Sequence, residues 1–309
     1  MEHDVSLNSG KTIKNNLDSG KYEIVDIFVA KDGRWFLEGK EIIPRDLKGR
    51  VDIVFSVLHG SYGEDGQVQS VLEKERINFV GSSAKSSQLS FSKIASKWVF
   101  EKSGIKTPPF LSLERSKIGN LNEEAVNIVE KFQGKKVVAK ASESGSSFGV
   151  FICDSAEELA QALREIFEIG NEALVEEYIE GKEFTCGVLE QKAGQIEPLP
   201  IVEIIPQKEF FDFEAKYENA VEEICPAVIE DENLAKEIQR TAARVHKVLG
   251  LADYSRTDFI FNEEKGLYVL EVNTLPGMTE TSLYPQELRA AGWKLSDFLD
   301  TIIKKNLNV

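Results

Sequence analysis

Apolar and polar positions alternate in short blocks along the chain, and the period changes from block to block. Residues 22–38, YEIVDIFVAKDGRWFLE, hold two β-prone runs around an Asp-Gly pair, which predicts two strands about a turn. The run VDIVFSVLHG, 51–60, is nearly all apolar and ends in glycine. A strand buried on both faces has this pattern, so a parallel sheet is expected. EDGQVQSVLEKERI predicts a helix and INFVG a short strand after it, which completes a βαβ unit. HGSYGEDG then lies at the carboxyl end of the first strand, where such units collect ligands. Residues 86–103, SSQLSFSKIASKWVFEKS, read as one amphipathic helix. TPPF stops it, because proline also restricts the residue before it, and a first boundary is expected there.

Farther along, KKVVAKASESGSSFGVFIC reads as strand, Ser/Gly-rich loop and strand. A helix is expected over 155–169, capped by Asp154 or Ser155, and LVEEYIEGKEFTCGVLE returns to strand. Strands are expected near 184–190 and 200–205. The segment PQKEFFDFEAKYENAVEEICPA that follows has no clean periodicity, and a loop this long is usually functional or disordered. Its aromatics, Phe210, Phe211, Phe213 and Tyr217, favour function. A helix at 231–249, strands at 257–262 and 267–273 with NEEKG as a hairpin, and two terminal helices complete the reading.

Composition narrows the possibilities. The 309 residues suffice for two or three domains, and 42% hydrophobic with 29% charged residues describes an ordinary globular chain. A net charge of −15 argues against a general nucleic-acid binder. No apolar run approaches the ~20 residues that cross a bilayer, and the polar start MEHDVSLNSG is no secretory signal. Cys153, Cys186 and Cys225 form no metal-type pair and no disulfide framework, so buried small hydrophobes in a reducing cytoplasm are expected. His246 is expected to be exposed on its helix.

Four groups carry candidate chemistry. Glu271 and Asn273, two apart on a strand, share a face, and so do Arg256 and Asp258 on the strand before it. Two carboxylates and an amide oxygen suit Mg²⁺, although solvated strand residues would look the same. SESGSSFG, after Lys140, has the small residues that let backbone N–H groups surround a phosphate, but a plain hairpin tip is equally compatible. LVEEYIEGKE could offer backbone groups to a flat base and Glu183 to ribose hydroxyls, or could be an acidic edge strand. His59 in HGSYGEDG either binds an anion or caps a turn.

In this order the stretches HDVSLNSG, VLHGSYGEDG, KASESGSSFG, VEEYIEGKEFT, FDFEAKY, RTDF and EVNTLPGMTETSL closely resemble the D-alanine–D-alanine ligases of the ATP-grasp superfamily. The resemblance runs from Glu2 to the C-terminus. It implies an α/β chain of three domains: a preATP-grasp domain with a parallel sheet (1–89), a central grasp subdomain (90–183), and a C-terminal grasp subdomain (184–309) with a lid loop at 206–226. It also implies the reaction, in which one D-alanine carboxylate takes the γ-phosphate of ATP and the amine of a second D-alanine displaces phosphate from the acyl phosphate. The product, D-alanyl-D-alanine, is a peptidoglycan precursor.

Site residues follow from the same resemblance. Asp258, Glu271 and Asn273 match the ligands of two Mg²⁺ (or Mn²⁺). Lys93 and Lys140 match lysines on the ATP phosphates, Glu176, Tyr178 and Ile179 the adenine segment, and Glu183 the ribose position. Arg256 and the backbone of Gly277 match an oxyanion site. Ser282 and Leu283 match positions at the second D-alanine, and Glu2, Ser146, Tyr217 and His59 positions at the first. Tyr217 in EAKY resembles the dipeptide-forming type rather than ester-forming relatives. A cytoplasmic homodimer is implied, with no nucleic-acid or membrane partner.

The chain departs from the family pattern in places. It opens at Met1-Glu2, where the family has an apolar strand and a glycine-rich turn, so a first sheet short of one strand is expected. Ala141 stands where proline is common, Glu143–Ser144 replaces a frequent Arg–Glu pair, and Phe211 and Phe213 replace frequent tyrosines. Two other readings follow: another carboxylate–amine ligase of the superfamily, or an inactive nucleotide-binding homologue.

Overall fold

A computed structural model describes residues 3–145, 148–206 and 221–307. The chain begins with helix α1 (His3–Asn16), followed by an antiparallel meander of β1 (Ile27–Val29), β2 (Trp35–Leu37) and β3 (Lys40–Ile42). Val29 faces Trp35 across the predicted Asp-Gly turn, where Gly33 takes a φ of 81°. Then come β4 (Val54–Phe55), α2 (Gln67–Glu75) and β5 (Phe79–Val80). β4 and β5 pair in parallel, as the βαβ pattern predicts. The long buried strand expected over 51–60 is not formed. Only Val54 and Phe55 pair, the run is half-buried, and the His59 N–H is held by the Ser6 hydroxyl instead of a ladder.

Residues 86–103 are two helices, not one: α3 (Ala84–Phe91) and α4 (Lys93–Lys102). Ser92 makes the break. It leaves helical geometry (φ −76°, ψ 106°) and its hydroxyl accepts from the Ala95 N–H, capping α4. The capping preference of serine outweighs continuation of the apolar stripe.

The next sheet contains β6 (Phe110–Glu114), then, after α5 (Leu121–Lys131), β7 (Val137–Ala141) and β8 (Val150–Cys153), and, after α6 (Ala156–Ile169), β9 (Glu172–Glu177). Its strand order is β6-β9-β7-β8, all antiparallel. Ser155 caps α6 as expected. Val137, Ala139, Ala141, Ala173 and Val175 point to the helices and pack with Ala125, Ile128, Leu159 and Leu163. The alternate positions, Lys140 and Glu176 among them, face the other way.

The largest sheet is built from β10 (Lys182–Lys192), β11 (Gln195–Pro206), β12 (Val221–Ile224), and, after α7 (Glu232–Val248), β13 (Tyr254–Asn262) and β14 (Gly266–Asn273). The order is β12-β11-β10-β13-β14. α8 (Leu283–Ala290) and α9 (Leu295–Leu307) close the described chain. Phe184, Cys186, Val188, Phe259, Val269 and Val272 bury one face of the sheet against Ile238, Ala242 and Val245 of α7. Burying an aliphatic side chain of this size stabilises by about 1.5–3 kcal/mol, so this face anchors the sheet. His246, expected to be exposed, is wholly buried on α7, where Nδ1 meets Ser255 Oγ at 2.8 Å. Burial lowers its pKa to about 4, so the ring is neutral near pH 7. Cys153 and Cys186 are buried and burial raises their pKa, whereas Cys225 is only half-buried. The aromatic loop expected between β11 and β12 falls mostly on 207–220, outside the described residues.

Candidate functional site

The site grows from the face of the large sheet that turns away from α7. Antiparallel pairing sets Asp258 opposite Glu271 and Arg256 opposite Asn273, so all four side chains share one surface. Sequence alternation predicts the sharing within each strand, and the register joins the two strands. The register shifts at Asp258/Phe259, and beyond it Ile260 pairs with Tyr268. That end of the face is apolar: Ile179, Ile260 and Tyr268 form a buried cluster with Leu270 against it. One surface therefore passes from hard oxygen donors to an apolar wall.

The carboxylates are held by protein cations. Arg256 donates to both oxygens of Asp258, Nε to Oδ1 at 3.0 Å and Nη2 to Oδ2 at 3.1 Å. The Thr185 hydroxyl donates to Oδ1 at 2.7 Å from the neighbouring strand. Lys93 Nζ lies 3.4 Å from Glu271 Oε2 and donates to the Ser144 carbonyl at 2.6 Å. The break at Ser92 places it there, since Lys93 begins α4 and its own N–H donates to the Ser142 carbonyl. The start of α4 is thus docked onto the SESGSSFG loop. Asn273 Oδ1 accepts from the Leu275 N–H at 2.9 Å, which leaves one lone pair on that oxygen.

Opposite this face, on the smaller sheet, Val138 pairs with Glu176 and Lys140 with Leu174, so Lys140 and Glu176 are diagonal neighbours. Lys140 Nζ is ion-paired to Glu176 Oε1, and Lys97 Nζ of α4 lies 2.7 Å from Oε2. Lys97 also donates to Thr107 Oγ1 at 2.6 Å, and Thr107 donates to the Val269 carbonyl of β14. This chain of contacts ties α4 and both sheets together. Burial opposes the charge on Glu176, but Lys140 and Lys97 overcome it and hold the carboxyl below its ordinary range. Burial likewise opposes the charge on Lys140, and Glu176 and Glu271 outweigh it, raising its pKa. Two lysines share one buried carboxylate, an arrangement that a phosphate near Lys140 suits.

The predicted base and ribose positions lie at the apolar end. Ile179 is buried in the cluster, Tyr178 is half-buried with its N–H on the Lys136 carbonyl, and Glu183, second in β10, pairs with Ile260.

The LPGM segment is stitched by a residue absent from the sequence reading. Ser9 Oγ accepts from the Met278 N–H at 3.3 Å and lies 3.0 Å from His59 Nε2. His59 Nδ1 lies 3.0 Å from the Leu275 carbonyl, which can only accept. Nδ1 therefore donates to that carbonyl, and Nε2 meets the Ser9 hydroxyl. His59 is only 5% exposed, and here it positions the LPGM turn from the first part of the chain. Gly277 lies in that turn; a Cβ there would meet Ser282 Oγ at 2.8 Å. The Ser282 hydroxyl accepts from the Thr279 N–H, and Leu283 opens α8. Removing the Ser9 hydroxyl strands a buried N–H and a buried ring nitrogen. Ser9→Ala is expected to destabilise by about 1–3 kcal/mol, read as a lower thermal midpoint.

Of the predicted residues, Arg256, Asp258, Glu271, Asn273, Lys93, Lys140, Glu176, Ile179 and Glu183 gather on or beside one sheet face, with Gly277, Ser282 and His59 on its flank. Glu2, Ser146 and Tyr217 lie outside the described residues. Sequence reasoning missed Lys97, Thr107 and Ser9. A lysine spaced four from Lys93 on a helix was the only available signal for Lys97. Two carboxylates set face to face with an amide beside them fit a hard divalent cation, and Arg256 and Lys93 now supply the opposing charge.

Comparison with known proteins agrees with this geometry. Family models described as the D-ala D-ala ligase C-terminus and N-terminus match residues 99–304 and 38–82. A D-alanine–D-alanine ligase of Clostridium beijerinckii is 37% identical over all of this chain and 95% of its own length. One from Maridesulfovibrio salexigens is 38% identical over 98% of this chain and 94% of its own. Among solved structures, the D-Ala:D-Ser ligase VanG of Enterococcus faecalis has a TM-score of 0.87 at 30% identity, covering 99% of this chain and 96% of that one. A Bacillus anthracis D-alanine–D-alanine ligase complexed with ATP has a TM-score of 0.80 at 32% identity, with 99% and 93% covered.

Proposed function

The chain belongs to the D-alanine–D-alanine ligase family, with its ATP-grasp fold, and from that premise we propose that it joins two D-alanines to D-alanyl-D-alanine at the expense of ATP. The observation that carries this reading is the single sheet face running from Asp258 and Glu271 to the Ile179–Ile260–Tyr268 wall, with Lys93 and Lys140 across from its charged end. A nucleoside triphosphate has the same polarity, a flat base at one end and dense negative charge at the other.

The chain's own groups divide the work. A carboxylate is a poor nucleophile toward a polyanion, so the phosphates need screening, and Lys93 and Lys140 supply it. Asp258, Glu271 and Asn273 would hold magnesium, which when bound neutralises charge on the phosphate oxygens. A D-alanine carboxylate oxygen bonds to the γ-phosphorus as the bond to the ADP oxygen breaks. The amine of the second D-alanine then attacks the acyl carbon, loses a proton, and expels phosphate. Arg256 and the Gly277 N–H face the negative charge that develops on that carbon's oxygen. Ser282 and Leu283 orient the second D-alanine; Glu2, Ser146, Tyr217 and His59 serve the first. The three-domain division at 89 and 183 belongs to the same proposal, as do homodimer formation and a cytoplasmic site. No helix among the described residues is long and apolar enough to cross a membrane.

Release of ADP, followed with ATP, magnesium and D-alanine alone, tests the reading. Turnover with appearance of the dipeptide supports it. Turnover only when another amino acid is added identifies a different carboxylate–amine ligase, and nucleotide binding with no turnover identifies an inactive homologue.

A further inference from the structure

α8 sends one acidic side chain to the site face of the large sheet. Glu287 is 0% exposed. Its Oε1 accepts from the Gly187 N–H at 3.0 Å, and its Oε2 is buried without a hydrogen-bond partner among the described residues. The β10–β11 register shifts between Cys186 and Val188, and the Gly187 N–H at that irregularity goes to Glu287. Glycine is needed there, since a Cβ would stand 2.3 Å from Oε2 and 2.9 Å from the Tyr284 ring.

Gly187 pairs with Arg256 across β10 and β13, so Glu287 lies beside the arginine strand. Arg256 and Glu287 attract one another, yet they are farther apart than an ion pair, and the guanidinium is committed to Asp258 through Nε and Nη2. A buried carboxyl with an unused oxygen next to a committed arginine is an unfinished contact. Burial pushes the Glu287 pKa well above its ordinary value, because nothing there pairs with the charged form, and an arriving guanidinium would favour that form.

The proposed metal site explains why the contact would be left open. Asp258 offers both oxygens to Arg256. A divalent cation taken up by Asp258 and Glu271 competes for those lone pairs and repels the guanidinium. Arg256 then needs another acceptor, and Glu287 Oε2 is the acceptor nearby with none of its capacity used. We propose that Glu287 is a positioning residue that receives Arg256 when a divalent cation occupies Asp258, so that the metal and the arginine no longer compete for one carboxylate. The inference rests on the proposed metal-nucleotide reading of the site. It makes Arg256 a two-position side chain whose position depends on the metal.

Glu287→Gln tests it in the full chain. The amide keeps an oxygen for the Gly187 N–H and nearly the same shape, while the charge that would hold Arg256 is lost. ADP binding is measured by calorimetry with and without magnesium, for wild type and variant. The expected result is that the variant binds ADP as wild type does without magnesium, and about tenfold more weakly with it. Equal affinities for ADP with magnesium overturn the inference, as does an equal loss with and without magnesium, which marks a structural role only. If wild type itself binds ADP equally well with and without magnesium, the metal reading of the site fails and the inference falls with it. A second measurement guards against a misfolded variant: the thermal midpoint of Glu287→Gln should not lie below wild type, because the substitution removes a buried, unpaired carboxyl. A large fall overturns the relay and assigns Glu287 to packing.

Discussion

Glu271→Gln is expected to lower the rate of ADP release with D-alanine by about a thousandfold, the equivalent of about 4 kcal/mol of transition-state stabilisation. The side chain is almost half exposed, so its loss should leave the thermal midpoint within the range of an ordinary surface change, about 0.5 kcal/mol. The two readouts separate a catalytic from a structural effect. Glutamine keeps one carbonyl oxygen for a cation but removes the negative charge that makes Glu271 a strong hard ligand and a partner for Lys93. Raising the magnesium concentration should therefore recover part of the rate. Turnover within a few-fold of wild type would remove Glu271 from the proposed ligand set.

Glu176→Gln should produce the largest loss of stability. Lys97 is 1% exposed, and among the described residues Glu176 is its only carboxylate partner at ion-pair distance. Breaking one side of a buried pair costs about 3–5 kcal/mol, because the remaining charge is left without compensation. The urea midpoint should fall with little change in its slope. The pH dependence has a definite sign on each side. In wild type the Glu176 pKa is lowered, so its contribution is fully present above the unfolded value of about 4.3 and is lost as pH falls through the lower folded value. In the variant, Lys97 loses its counter-charge, and burial already lowers its pKa. Between that lowered value and the unfolded value near 10.4, the unfolded chain binds more protons. Stability of the variant should therefore rise with pH across that window, and its deficit should shrink. A deficit that stays constant from pH 6 to pH 10 would contradict a buried, uncompensated ammonium.

The candidate site residues were legible in the sequence to very different degrees. Glu271 and Asn273 stand out because a polar pair at a spacing of two interrupts an apolar strand, and alternation alone puts them on one face. Lys140 stands out as a cation within VVAKA. Lys97 does not, because four residues after Lys93 on a helix it looks like any lysine on a solvated face; only the packing of α4 between two sheets buries it. Ser9 lies in a polar segment with no helix signal, and it becomes a link only when α1 meets the LPGM turn. Glu287 looks like a surface residue of α8 until Gly187, a hundred positions earlier, is found beneath it. The helix expected over 86–103 fails for a local reason, since Ser92 caps better than it propagates. The strand expected over 51–60 fails for a tertiary one, since β5 is too short to pair more than two of its residues.

By itself the sequence determined many of the strands and helices, the alternation that sorts each strand into a core face and a site face, and the motifs that mark the family. Those depend on neighbours along the chain, where side-chain period and turn chemistry are set. The tertiary structure alone decided the register that places Asp258 against Glu271, the meeting of Lys97 with Glu176, and the burial of Glu287 beside Arg256. Each of these joins residues on different elements, and electrostatic strength depends on how much water is excluded between them, which no local pattern encodes.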